Sequence, residues 1–197
     1  MGLQRLCVYC GSSDKLASEY LDAAALTGKL IAEQGIDIIY GGGGTGMMGA
    51  LASSALATGG RVIGVIPELF NTPELVHPGL VELHVVDSMH ARKAMMAEMA
   101  DGFLALPGGF GTLEELFEML TWMQIGLHSK PIGVLNVMGY FDPLIRLIEH
   151  AQKQGFIYAE HRELLITSKQ PEGLISSLKS FKIPEDLDRW VHRKETL

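Results

Sequence analysis

Two adjacent carboxylates, Glu114 and Glu115, follow directly on Pro107-Gly108-Gly109-Phe110-Gly111-Thr112-Leu113. An apolar run, residues 103–106, leads into this stretch and reads as a buried strand. A helical pattern leads out, with Leu113, Leu116, Phe117, Leu120 and Met123 on one face. A strand, a glycine-rich turn and a helix N-terminus leave free backbone N–H groups that hold an anion well, phosphate above all. An acid in the next helical turn adds the means for chemistry on a phosphorylated ligand. The same residues also fit a plain capping box, Thr112 with Glu115 three positions on, in which both side chains only satisfy orphan N–H groups.

A second group of candidates is His90, Arg92 and Lys93, in the first turns of a helix expected over residues 89–100, with Asp87 or Ser88 as its cap. Cations near a helix N-terminus oppose the dipole, which suggests that they serve a bound anion; a solvated face is the alternative. Met95, Met96 and Met99 of this helix read as core. A second glycine turn spans residues 41–49, and Gly44, Gly46 and Gly49 fit GxGxxG, with Glu68 near the spacing of a ribose-binding acid. That supports a dinucleotide-dependent oxidoreductase only weakly, because Glu68 follows Pro67 instead of ending a strand and the turn is the second of its kind. Ser12 and Ser13 end the first strand, where α/β sheets place ligands; Ser13 or Asp14 equally well caps the next helix. Residues 67–79 form a polar, Pro-punctuated loop carrying Glu68, Glu74 and His77, fit either to cover a ligand or to act as a solvated connection.

Other chemistries find little support. Cys7 and Cys10 have CxxC spacing, but a separation of three along a strand sends them to opposite faces, so they read as buried structural thiols. The seven histidines are scattered without a paired ligand spacing, and no metal site is expected. There is no GxSxG nucleophile turn.

The elements that must position these residues alternate. Strands are expected over residues 3–9, 36–40, 61–66, 80–86, 103–106, 131–137 and 164–167. Helices are expected from 13 or 14 to 34, then over 50–58, 89–100, 113–125, 141–154 and 171–180. This succession predicts a single α/β domain, a Rossmann-like doubly wound parallel sheet flanked by helices, over residues 1–182. A charged, Pro-broken tail, 183–197, follows and includes Trp190, a residue able to anchor it. The 197 residues are 47% hydrophobic and 20% charged, ordinary for a globular protein. A net charge of −7 argues against nucleic-acid or anionic-membrane partners and leaves room for a small phosphorylated molecule. No apolar run approaches a membrane span and the N-terminus has no signal-peptide pattern, so a cytoplasmic protein is expected.

With both glycine turns and Ser88-Met89-His90-Ala91-Arg92-Lys93 in view, the chain resembles the LONELY GUY family of cytokinin riboside 5′-monophosphate phosphoribohydrolases. Cys7 to Ser13, Thr121-Trp122 and the segment 130–137 extend the likeness over roughly residues 1–180. The resemblance implies hydrolysis of the N-glycosidic bond of an adenosine 5′-monophosphate, often N6-substituted, without a cofactor. It makes Arg92 and Glu115 the catalytic pair. It places Glu74, Lys93, Thr121 and the Gly109 to Glu115 turn at nucleotide-contacting positions, beside which Ser12, Gly43, Gly44 and Gly108 are further candidates. It also implies a homodimer, to which the Trp122 and Met123 region contributes unless that face packs on its own sheet. A non-catalytic nucleotide carrier would keep both glycine turns but need neither Arg92 nor Glu115. The lysine decarboxylase label that some members carry finds no recognisable pyridoxal phosphate lysine here.

Overall fold

The computed structural model describes residues 2–185 and Leu187; Trp190 and most of the tail lie outside the described residues. Seven parallel strands form one sheet among these residues: β1 (Arg5–Tyr9), β2 (Asp37–Tyr40), β3 (Val62–Pro67), β4 (Glu82–Val86), β5 (Gly102–Ala105), β6 (Ile132–Leu135) and β7 (Leu165–Ser168). Their order is β4-β3-β2-β1-β5-β6-β7. The central strands are unbroken apolar runs because both faces are covered. Edge strand β4 is half exposed and carries Glu82, paired with Arg61 at 2.5 Å, a charge that discourages edge pairing.

The helices are α1 (Ser18–Glu33), α2 (Gly46–Ala57), α3 (Met89–Met99), α4 (Phe110–Gln124), α5 (Asp142–Lys153), α6 (Ala159–Arg162) and α7 (Pro171–Ser180). One core layer joins α1, α2 and α7 to the sheet, and the opposite layer joins α3, α4 and α5. Cys10 falls in the first layer and Cys7 in the second, both free and buried, as the strand alternation requires. Burial pushes both thiols up from their ordinary value, which leaves them unreactive.

Three helix starts differ from the sequence expectation. Helix α1 begins at Ser18, capped by neither Ser13 nor Asp14, because residues 11–13 are held by the second glycine turn. There Thr45 Oγ1 donates to the Ser12 carbonyl at 2.8 Å and Met48 N–H to the Gly11 carbonyl at 3.3 Å. Helix α2 begins at Gly46, four residues early, and α4 at Phe110, three residues early, because glycine lowers helix propensity without forbidding a first turn. The 67–79 connection contains a 3-10 turn, Glu68–Phe70, and a bridge from Val76 to Gly43, so it is less irregular than its polarity suggested. Short helix α6 has no counterpart in the expected pattern, being too brief to show periodicity.

The strand order reverses between β1 and β5, from which successive strands are added outward in opposite directions, and the loops leaving those two parallel strands meet there. Gly11 N–H donates to the Pro107 carbonyl at 3.0 Å, and Leu106 N–H to the Tyr9 carbonyl at 2.9 Å. Open α/β sheets bind ligands at such a crevice, at the strands' carboxyl ends.

Candidate active site

The N-terminus of α4 opens on this crevice. Gly109 is its N-cap, extended (φ −87°, ψ −157°), with no side chain bonded to the cap. The first ladder bond runs from Leu113 N–H to the Gly109 carbonyl at 3.1 Å, so the N–H groups of Phe110, Gly111 and Thr112 have no intrahelical acceptor. A Cβ at Gly109 or Gly111 would meet nothing, so the turn's outer side is open. Phe110 is 93% exposed beside it. Thr112 is not the cap: it lies buried inside the first turn with its hydroxyl against Gly108, where an added Cβ would sit 2.2 Å from Oγ1. The capping-box reading therefore fails, and Glu115 is released from that duty.

Glu115 faces inward and is only 7% exposed. Its Oε1 lies 3.4 Å from Arg92 Nη2. Helix α3, capped by the Ser88 hydroxyl accepting from Ala91 N–H, sets Arg92 at this position. The guanidinium lies against the backbone of Gly41, where a Cβ would come within 2.1 Å of Nη2, so the second glycine turn makes room for the arginine. Arg92 Nε is buried without a hydrogen-bond partner among the described residues. Burial raises the Glu115 carboxyl to about 7; Arg92 opposes the rise, Glu114 adds to it, Lys93 opposes it and Glu118 adds to it. Next to this pair, Lys93 bonds Glu114 and also Glu118, the latter at 3.0 Å. The sequence suggested that these cations attend a bound anion; in the fold, carboxylates of α4 face them.

The second glycine turn is braced by the 67–79 loop. Gly44 N–H donates to the Leu75 carbonyl at 2.8 Å, and His77 N–H to the Gly42 carbonyl at 2.9 Å. Tyr40 hydroxyl donates to the Gly43 carbonyl at 3.1 Å. Gly46 has φ +57° and no room for a Cβ, which would lie 2.5 Å from the Ser13 carbonyl oxygen; at Gly49 it would lie 2.3 Å from the Gly44 carbonyl oxygen. Packing thus accounts for two of the three glycines of the GxGxxG match without a dinucleotide. Glu68 is exposed in the 3-10 turn.

Not every expected residue joins Arg92 and Glu115. Glu74 is exposed on the loop, where its own backbone N–H and the Thr72 hydroxyl hold its carboxyl below the usual range. Thr121 is also exposed, and its hydroxyl donates to the Phe117 carbonyl at 2.7 Å. It stands about 9 Å along α4 from Glu115, at 1.5 Å per residue. Phe117, grouped by periodicity with Leu116 and Met123 on one face, is exposed, and Met119 joins the buried face instead. Ser12, Leu16, Tyr20, Met47, Gly109 and Tyr140 line a cavity of about 370 Å³ on the α1 side of the turn. Arg92 and Glu115 stand on α3 and α4, on the opposite side of the sheet, so the α4 turn borders both places. Three residues escaped sequence reading: Gly41, Glu118 and Tyr140. Glu118 was legible as the i+4 neighbour of Glu114; the roles of Gly41 and Tyr140 depend on distant partners.

Comparison with known proteins gives the chain its relatives. Residues 48–178 match the family model described as "possible lysine decarboxylase". The chain is 47% identical over 183 residues to the cytokinin riboside 5′-monophosphate phosphoribohydrolase LOG of Oryza sativa subsp. japonica, covering 92% of this chain and 75% of that protein. It is 49% identical over 174 residues to the cytokinin riboside 5′-monophosphate phosphoribohydrolase of Rhodococcoides fascians, covering 88% of each. Among solved structures, the molybdenum cofactor carrier protein of Chlamydomonas reinhardtii superposes with a TM-score of 0.70 at 22% identity, over 90% of this chain and 97% of that one. That last likeness is one of fold. At nearly half identity along most of its length, the chain belongs to the LOG family of cytokinin riboside 5′-monophosphate phosphoribohydrolases.

Proposed function

We propose that this protein hydrolyses the N-glycosidic bond of adenosine 5′-monophosphates, including N6-substituted ones, to a free adenine-type base and ribose 5-phosphate. The observation that carries this reading is a buried carboxylate, held near neutrality beside a guanidinium and one helical turn from N–H groups that have no intrahelical acceptor. A carrier needs the N–H groups but has no use for such a carboxylate. The N–H groups of Phe110, Gly111 and Thr112 receive the 5′-phosphate, aided by the α4 dipole. The C1′–N9 bond then breaks, its electron pair leaving with the purine, through an oxocarbenium-like state. Ionised Glu115 stabilises that cation and takes a proton from the water that attacks C1′; the departing purine nitrogen takes up a proton from solvent, and Glu115 returns its own to solvent to complete the turnover. Arg92 holds Glu115 and orients the nucleotide, and Lys93, braced by Glu114 and Glu118, belongs to the proposed contact set. Glu74, Thr121, Ser12, Gly43, Gly44, Gly108, Leu113 and Glu114 complete the proposed contact set. We further assign a catalytic domain over residues 1–182 and, on the family resemblance, a homodimer. A cytoplasmic location follows from the substrate, since a charged monophosphate does not cross membranes unaided.

The test is incubation with AMP and with N6-isopentenyl AMP, following base and ribose 5-phosphate by chromatography. Release from either substrate, abolished in Glu115→Gln with the fold retained, is the expected result. Absence of release from both, with AMP still raising the melting temperature, would reduce the protein to a binder.

A further inference from the structure

Between β6 and α5 the chain makes a tight reversal that ends at Tyr140. Met138 (φ +51°) and Gly139 (φ +75°) are consecutive left-handed residues, a costly conformation for methionine. The reversal is clamped from both ends. Asn136 Nδ2 donates to Asp142 Oδ1 at 2.7 Å, and Phe141 N–H donates to Asn136 Oδ1 at 2.7 Å. The Tyr140 ring stands edge-on to Phe141 at 5.0 Å and to Tyr20 of α1 at 6.2 Å. From there its hydroxyl donates to the carbonyl of Gly108.

That carbonyl matters in two ways. It is the next acceptor in line for the α4 ladder: an added turn would bond Thr112 N–H to Gly108, and the ladder instead stops at Leu113 N–H to Gly109. Gly108 C=O also shares a trans peptide with Gly109 N–H, so the two point in opposite directions. Anchoring the carbonyl on Tyr140 aims Gly109 N–H away from Tyr140. A Gly-Gly peptide is the one most easily flipped, since neither residue has a Cβ to resist.

We infer that Tyr140 is a positioning residue for the substrate phosphate: its hydroxyl holds the Gly108-Gly109 peptide in one orientation, keeping the α4 N–H groups open to the anion. The inference rests on the proposed phosphate site at α4. Without the hydroxyl, the competent orientation is only part of the population, and apparent affinity falls by that fraction.

The experiment is calorimetric titration of the wild type and Tyr140→Phe with ribose 5-phosphate, AMP and adenosine, plus steady-state kinetics with AMP. Removing one hydrogen bond is expected to weaken ribose 5-phosphate and AMP about fivefold, leaving adenosine unchanged. The Michaelis constant for AMP should rise by the same factor with kcat within about twofold, as expected when only binding is lost. Equal affinities in the two proteins, or equal losses for adenosine and AMP, would overturn the role. Amide NMR of the wild type with inorganic phosphate gives a measure independent of any variant. The Gly109 and Thr112 amides should shift together, and unmoved amides at saturation would overturn it too. Phosphate binding is read without turnover, so a wild type that binds ribose 5-phosphate but releases no base would sink the hydrolase reading and leave this role standing.

Discussion

Glu115 owes its behaviour to a conflict between burial and charge. Burial disfavours the carboxylate, Arg92 favours it, and the outcome is a group that titrates near 7. If the ionised form acts on the ribosyl cation, kcat/KM rises with pH with a midpoint near 7 in the free enzyme. Arg92→Ala removes the opposing charge, so besides losing at least about tenfold in rate it should move that midpoint upward. A pH–rate profile of both proteins checks this, and an unmoved midpoint would detach Arg92 from Glu115. Stability should mirror the titration. A folded-state pKa raised above the unfolded value gives a contribution that is complete below about 4.5 and is lost as pH climbs through 7. The melting temperature should therefore decline across that window, and Glu115→Gln should flatten the decline.

Among the connecting elements, the 67–79 loop has the most visible dependence on one side chain. His77 Nδ1 accepts from Gly79 N–H at 3.1 Å, so Nε2 carries the proton and donates to Ser53 Oγ at 2.9 Å. Only neutral histidine can make both bonds, and burial lowers its pKa accordingly. A depressed folded-state pKa means support that is present above about 6.5 and is lost as pH falls through the lower folded value. Hydrogen exchange at the Gly79 and His77 amides should therefore accelerate, beyond the intrinsic pH trend, as pH falls below about 6.5. Because this loop also pairs with Gly42 and Gly44, its loosening should reach the second glycine turn. Exchange insensitive to Ser53→Ala would show that the backbone bonds suffice alone.

At the scale of the molecule, α1 and α2 approach so closely that Gly28 lies on the Leu51 carbonyl, where a Cβ would stand 2.2 Å from the oxygen. Both helices lead to turns at the crevice, so their spacing sets the cavity beneath Tyr20 and Met47. Gly28→Ala is expected to cost about 1–3 kcal/mol through forced separation of the pair. Urea denaturation measures it, and a neutral effect would show that the helices have slack. Among the described residues no helix is long and apolar enough to cross a membrane.

The alternation of strands and helices was legible in the residues themselves, because a strand buried on both faces must read as an apolar run. So was the position of the glycine turn ahead of Glu114 and Glu115, since a proline and three glycines in five residues mark the break between a strand and a helix. Local sequence could not choose between a capping box and a buried acid at Glu115. That choice depends on where α4 begins and on Arg92 arriving from another helix, 23 residues away in the chain. Gly41 looked like one more turn glycine until the arginine was found filling the place of its side chain. Tyr140 carried no signal at all, for its partner, Gly108, lies across the sheet's carboxyl edge. Periodicity and turn chemistry act between neighbours in sequence and show there; ion pairs, desolvation and the aim of a peptide act between neighbours in space, and only the packed sheet and its two layers decided them.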